Sequence, residues 1–184
     1  MPTQKHIHNY EWKYQRSDLK FCPRCGAEFS VEDVHIPNQP QLVCHTCQFI
    51  FYLDPKLVVM AVVTFQGKVL LLKRAEEPGK GKWALLAGHV ERGEDPYLAL
   101  QREAHEETGL EITITNVLKV NSFPDVGMVQ LIFAANATHD QITLNEESAA
   151  GHFFAVSKIP WGDIAFSSTK ETLYEFFIDK TKHL

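Results

Sequence analysis

Three glutamates, Glu103, Glu106 and Glu107, follow Arg102 in a stretch that reads as a helix. At helical spacing of i, i+3 and i+4 their carboxylates gather on one side. Like charges so placed repel by roughly 0.2–0.5 kcal/mol per pair on an exposed helix, and something must offset that. A hard divalent cation, Mg²⁺ or Mn²⁺, is the simplest candidate, because such ions take oxygen ligands and keep some of their waters. Taken alone, the trio reads as a solvated acidic face.

A second set of ligating groups is more specific. The four cysteines form two pairs, Cys22-Pro23-Arg24-Cys25 and Cys44-His45-Thr46-Cys47, separated by 18 residues. This is the spacing of a tetrathiolate zinc site, closed to chemistry once four thiolates surround the ion. Gly26 after the first pair lets the backbone turn tightly. Two disulfides are the alternative, and the lack of an N-terminal apolar stretch resembling a signal peptide argues against them.

The elements that must position these groups follow from pattern. Asp95 is a suitable N-cap, Pro96 fits the first helical position, and Gly109 fits a left-handed C-terminal cap. Between them Tyr97, Leu100 and Ala104 form the core-facing stripe. Around Cys22 to Cys47, Phe21, Phe29, Val31, Val43, Phe49 and Phe51 mark two small hairpins, too short to be stable without a metal. Asp54-Pro55 is a boundary. KLVVMAVVTF and KVLLLKRA read as strands joined by a turn at Gln66-Gly67, and WALLAG as a short apolar segment that delivers Gly88. Further strands are expected near Ile112–Val120, Val126–Ala137 and at HFFAV. STKETLYEFFID is read as a second helix, with Leu173, Phe176 and Phe177 facing inward and Ser167 or Ser168 as cap. Strands mixed with two helices indicate an α/β domain with a mixed central sheet.

The expected division is residues 1–18, a zinc module over 19–53 and a catalytic domain over 54–184. The first segment, with His6 and His8, is a flexible arm or a strand that packs on a partner. With 184 residues, 45% hydrophobic content and 12 Phe, the chain can bury a sizeable core. Lys and Arg number 18 against 23 Asp and Glu, a formal charge of −5. General nucleic-acid binding by charge is therefore not indicated, and the zinc module is expected to brace a neighbour or a dimer. No apolar run approaches the ~18–20 residues that span a bilayer, so a cytoplasmic protein without membrane association is expected.

The surroundings of the acidic trio settle its reading. Gly88, five residues, Glu94, seven residues and then Arg102-Glu103-Ala104-His105-Glu106-Glu107-Thr108-Gly109-Leu110 match the Nudix box at every specified position. The chain thus resembles Nudix hydrolases, which implies an α/β/α sandwich and metal-dependent cleavage of a nucleoside diphosphate linked to another moiety. By that resemblance Glu103, Glu106 and Glu107 are Mg²⁺ or Mn²⁺ ligands, with a backbone carbonyl of Ala87 or Gly88. Arg102 orients a carboxylate, Glu94 supports the metal shell, and Gly93 keeps the loop tight. His105 holds a variable place in the box and is read as surface. A carboxylate outside the box commonly serves as ligand or base. Related zinc-ribbon Nudix enzymes carry it where Glu146 and Glu147 stand, and Glu147 is preferred here, a solvated loop pair being the alternative.

Lys73 and Arg74 are candidates for the substrate phosphates. Phe123, Phe166 or Trp161 can stack on adenine, although core packing is the commoner use of such rings. A zinc ribbon before a Nudix domain resembles two groups, NADH pyrophosphatases and the chloroplast type of ADP-ribose/FAD pyrophosphatase. The first carries SQPWPFP after the box, and VNSFPDV here keeps little of it. IPWGDIAFSSTKETL and AGHVE look more like the second, while Leu86 departs from the Pro of many Nudix domains. ADP-ribose or FAD is accordingly the expected substrate. NADH, NAD-capped RNA and a non-catalytic sensor of ADP-ribose or NAD metabolites are the alternatives. A homodimer is expected by analogy.

Overall fold

The computed structural model describes residues 19–29, 41–52 and 54–178. The N-terminal segment with His6 and His8, and Val31 of the expected ribbon core, lie outside the described residues. The chain divides into two compact units, Met1–Pro55 with Pro124–Gly127, and Lys56–Phe123 with Met128–Leu184.

In the smaller unit, β1 (Gln41–Val43) pairs antiparallel with β2 (Ile50–Tyr52), and a bridge joins Phe21 to Glu28. Leu42 is fully buried between the flanking positions, whereas Phe21, read from the sequence as core, is 59% exposed. Strand alternation explains the difference: Cys22 points inward, so the preceding side chain points out.

The larger unit is built on a seven-stranded mixed sheet. Its strands are β3 (Lys56–Phe65), β4 (Lys68–Arg74), β5 (Trp83–Ala84), β6 (Leu86–His89), β7 (Ile112–Phe123), β8 (Met128–Ala137) and β9 (Ser148–Ala155). They are ordered β5-β4-β3-β8-β7, with β6 added to β3 and β9 to β4. β3 and β8 run parallel and the other pairs antiparallel. The apolar segment WALLAG is thus two short strands with different partners. Helix α1 (Pro96–Thr108) covers one face and α2 (Ser167–Phe177) the other.

A strand buried on both faces needs an unbroken apolar run rather than alternation, and β3 has one. Val59, Ala61 and Val63 join Leu70, Leu72, Leu100, Ala104 and Phe133 under α1. Met60 and Val62 join Val69, Leu71, Ile132 and Leu173 under α2. Gln66 and Gly67 both take positive φ, 48° and 75°, in the two-residue turn between β3 and β4. That conformation matches the twist of the paired strands.

Asp95 Oδ1 accepts hydrogen bonds from the N–H groups of Tyr97 at 2.8 Å and Leu98 at 3.4 Å, and Gly109 closes α1 at φ 67°. The buried stripe of α1 is Ala99, Leu100, Ala104, Glu107 and Thr108. Tyr97 lies at its edge, 49% exposed, with its ring centroid 5.2 Å from that of Phe133. Neither Ser167 nor Ser168 caps α2. Phe166 takes the cap position with an extended backbone and no side-chain bond, and the Arg74 guanidinium lies 5.4 Å from its ring centroid. Among the described residues no helix is long and apolar enough to cross a membrane.

Candidate functional site

β6 delivers Gly88 to Glu103 in the middle of α1, and the contact there is extreme. A Cβ on residue 88 would lie 1.9 Å from Cδ of Glu103 and 2.3 Å from its Oε1. The carboxylate of Glu103 therefore rests on bare backbone, and only glycine permits it. Ala87 and Gly88 pair with Met60 and Val59, which fixes this backbone in the sheet.

Arg102 organises the surrounding carboxylates. Its Nε and Nη2 donate to Oε1 and Oε2 of Glu94 at 2.8 and 3.0 Å. Nη1 donates to Glu103 at 2.8 Å and to Glu106 at 3.0 Å, and Nη2 also donates to the carbonyl of His89 at 3.0 Å. A planar guanidinium makes all these bonds at once, which an ammonium cannot. Glu94 also accepts from the N–H of Glu91 at 2.9 Å. These bonds, Arg102 first, hold the Glu94 carboxyl down at about 2. The box loop and the helix are thereby tied together. The tie to His89 is one that the residue pattern did not reveal, because a backbone carbonyl leaves no signal in sequence.

The three glutamates differ in setting. Glu106 has a side chain 53% exposed, Glu103 one 14% exposed, and Glu107 is buried. Burial pushes the Glu107 carboxyl up to about 8, the charges of Glu103, Glu147 and Glu106 adding to it and Arg74 opposing. Burial also raises Glu103, against its bond to Arg102. A buried carboxyl beside like charges is stabilised in its ionised form by a cation, and carboxylate oxygens suit a hard divalent ion.

Glu147 acts electrostatically on Glu103, Glu107 and His89. Its carbonyl accepts from the N–H of Ala75 at 2.8 Å, and its own N–H is bound by Asn145 at 3.0 Å, so the loop is anchored on both sides. A second loop contact closes the end of α1: Thr143 N–H donates to the carbonyl of Thr108 at 2.8 Å.

Lys73 and Arg74 part company. Arg74 donates from Nε to the carbonyl of Pro78 at 2.6 Å, stacks on Phe166 and acts on Glu107. Lys73 places its ammonium 5.9 Å from the Trp83 ring centroid. Phe123 ends β7 opposite Met128, on the edge strand of the sheet. His105 is exposed.

In the smaller unit the ligand atoms of Cys22, Cys25, Cys44 and Cys47 all lie within 4.8 Å of one another, and the cysteines are unbridged. Cys22 to Cys47 and Cys25 to Cys44 are each 3.7 Å between sulfurs. Four thiolates about 2.3 Å from a central zinc would stand about 3.8 Å apart at tetrahedral corners, so the cluster fits that ion. The two cysteine turns repeat one geometry. Gly26 N–H bonds the Cys22 carbonyl at 2.9 Å with φ 73°, and Gln48 N–H bonds the Cys44 carbonyl at 2.8 Å with φ 59°.

The profile of the NUDIX domain matches residues 54–175. An ADP-ribose pyrophosphatase of Methanocaldococcus jannaschii is 32% identical over 123 residues, 65% of this chain and 72% of that protein. A NAD-capped RNA hydrolase, NudC, of Vibrio parahaemolyticus is 25% identical over 176 residues, 92% of this chain but 65% of its own length. The chain thus spans just under two thirds of that second relative. The crystal structure of a NUDIX hydrolase from Nitrosomonas europaea is similar with a TM-score of 0.81 at 32% identity, covering 89% of this chain and 93% of that one.

Proposed function

Because the chain belongs to the Nudix hydrolases, we propose that this pyrophosphohydrolase cleaves ADP-ribose or FAD, releasing AMP. The observation that carries the reading is Glu103 seated on Gly88 and bonded through Arg102 to Glu94 and Glu106. Support for the substrate comes from the 32% identity to a relative named for ADP-ribose, together with the tail sequence IPWGDIAFSSTKETL.

Glu103, Glu106 and Glu107 would hold Mg²⁺ or Mn²⁺, with a carbonyl of Ala87 or Gly88. A divalent ion held there neutralises charge on the phosphoryl oxygens and makes a water more acidic. Arg102 fixes the orientation of the carboxylates, and Glu94 keeps Arg102 in place. Glu147 takes the proton from the attacking water, whose oxygen bonds to phosphorus as the bridging P–O bond breaks and the departing phosphate keeps the electron pair. Arg74, stacked on Phe166, holds a phosphate, and Lys73 adds positive charge from the same strand end. Cys22, Cys25, Cys44 and Cys47 bind structural Zn²⁺. A homodimer is the proposed assembly, which sedimentation would test.

The similarity to the NudC relative reaches across 92% of the chain and favours NADH or NAD-capped RNA as the second reading. Chromatographic product analysis separates these readings. ADP-ribose, FAD, NADH and NAD-capped RNA are supplied in parallel with Mg²⁺ or Mn²⁺, Glu106→Gln serving as control. AMP from ADP-ribose or FAD, absent with the variant, is the expected result. Turnover confined to NADH or capped RNA would overturn the substrate reading. Protection against thermal unfolding by ADP-ribose without any turnover would indicate a sensor.

A further inference from the structure

One row of the larger unit's sheet carries three polar side chains that the proposed hydrolysis does not use. The register pairs His89 of β6 with Val58 of β3, Val58 with Gln130 of β8, and Gln130 with Asn121 of β7. Directly paired residues share a face. The next row on that face is Ala87, Met60, Ile132 and Lys119. Met60 and Ile132 pack with Leu173 of α2, and Lys119 Nζ donates to Glu175 of α2 at 2.6 Å. The polar row therefore lies on the α2 face, one step along the strands from the apolar layer. On its other side come Lys56, Met128 and Phe123.

Gln130 sits in the middle of this row, 7% exposed, and its buried Oε1 has no hydrogen-bond partner among the described residues. A buried acceptor left unpaired is destabilising, and an apolar residue at this position would avoid the penalty. A donor on a bound molecule would satisfy it, and the terminal torsion of a glutamine is soft enough to aim the oxygen.

The row also adjoins the site. His89 directly follows Gly88, its carbonyl accepts from Arg102 at 3.0 Å, and the charge of Glu147 acts on its ring. From β6 to β8 is two strand spacings, ~10 Å, comparable with the reach of a ribose between a diphosphate and its base.

We propose that Gln130 reads the nucleobase: Oε1 accepts from the exocyclic amino group of adenine, and Nε2 donates to the neighbouring ring nitrogen. Glutamine pairs with adenine in this two-pronged way. Asn121 stands beside it as a second amide, and Phe123 and Met128 offer apolar contact to the ring. Guanine and hypoxanthine carry an oxygen where adenine has its amino group, and would set an acceptor against Oε1. The assignment rests on the reading of the site as a nucleoside-diphosphate hydrolase and names its base specificity.

Calorimetric titration of the full-length, zinc-loaded protein with AMP and with IMP, in Mg²⁺, tests it for wild type and Gln130→Met. Wild type is expected to bind AMP about tenfold tighter than IMP, a modest value for one two-pronged base contact. Gln130→Met, of similar length and shape, is expected to bind the two within about twofold. Gln130→Leu carries the same measurement should the methionine variant fail to fold. No preference in wild type, no binding of either nucleotide, or a preference that survives the substitution overturns the assignment and leaves the oxygen to a trapped water. ADP-ribose turnover is scored separately in the same samples. A protein that distinguishes AMP from IMP without releasing AMP from ADP-ribose keeps the Gln130 assignment and loses only the activity.

Discussion

The four cysteines and the three glutamates of the box helix are both sets of acidic groups, but they are held by different means. The thiols are set by two short turns that repeat one another, with matching bonds from Gly26 to Cys22 and from Gln48 to Cys44. The four sulfurs lie within 4.8 Å of one another, and together they would fill the coordination of a tetrahedral ion. The carboxylates are set by one helix, one arginine and one bare stretch of strand, and they range from the buried Glu107 to the half-exposed Glu106. That gradient leaves an open side. The comparison teaches that closure distinguishes a structural site from a working one.

The comparison breaks most severely at the thiols. Cys44→Ser removes a buried ligand from a unit in which, among the described residues, Leu42 is the one fully buried side chain. Structural zinc contributes roughly 10–16 kcal/mol to folding in small zinc-binding peptides, so loss of the ion is expected to unfold the smaller unit. Elemental analysis should fall from one zinc per chain to near none, and limited proteolysis should cut within residues 19–52. Loss of the ion with protease resistance retained would show that the unit stands without its metal.

Next in size is Gly88→Ala. The added methyl would stand 1.9 Å from Glu103 Cδ, so either the carboxylate or β6 must move. Displacement of about 1 Å at a reacting centre lowers kcat by about 10²-fold or more, and the loss is expected here with the thermal midpoint little changed. Activity within a few-fold of wild type would mean that Glu103 is not held where the chemistry occurs.

How far this could be read beforehand differs between the clusters for the same physical reason. Cysteine spacing alone points to a thiol site, because both turns are local and each pair is complete within four residues. The helix was equally legible from Asp95, Pro96 and Gly109, since caps are local too. What sequence did not reveal depends on distant segments meeting: Glu103 on Gly88, the His89 carbonyl under Arg102, and Arg74 against Phe166. Phe166 at the cap of α2 has no signal in sequence, because it makes no side-chain cap bond and its ring meets Arg74, 92 positions earlier. Gln48 in a left-handed conformation escaped because that conformation is usually signalled by glycine. Gln130 reads as one polar residue in an apolar strand until the register lines it up with His89 and Asn121.

Arg102→Lys comes third and sharpens the contrast, because the thiol cluster has no counterpart to this arginine. The positive charge remains, but the two-pronged bond to Glu94 is lost. Groups that orient metal ligands typically affect metal affinity by about 10–100-fold, so the Mg²⁺ or Mn²⁺ needed for half-maximal activity should rise by that factor. Zinc content should stay unchanged. An unaltered metal requirement would assign Arg102 to holding the loop rather than to orienting the ligands.

The smallest expected effect is a pH dependence. Glu94 titrates at about 2 in the folded chain, held down by Arg102 and the Glu91 N–H, against roughly 4.3 for an unfolded glutamate. Because the folded value is the lower one, the unfolded chain binds more protons between the two. This contribution to stability is therefore complete above about 4.3 and disappears as pH falls through about 2. Thermal midpoints followed from pH 6 down to pH 2 should decline more steeply for wild type than for Glu94→Gln, and the two curves should converge at the acid end. Parallel curves would mean that the Arg102 fork contributes nothing to stability. Its four bonds to carboxylates would then serve only to aim them, and the contrast with a thiol site expected to couple ligation to stability would be complete.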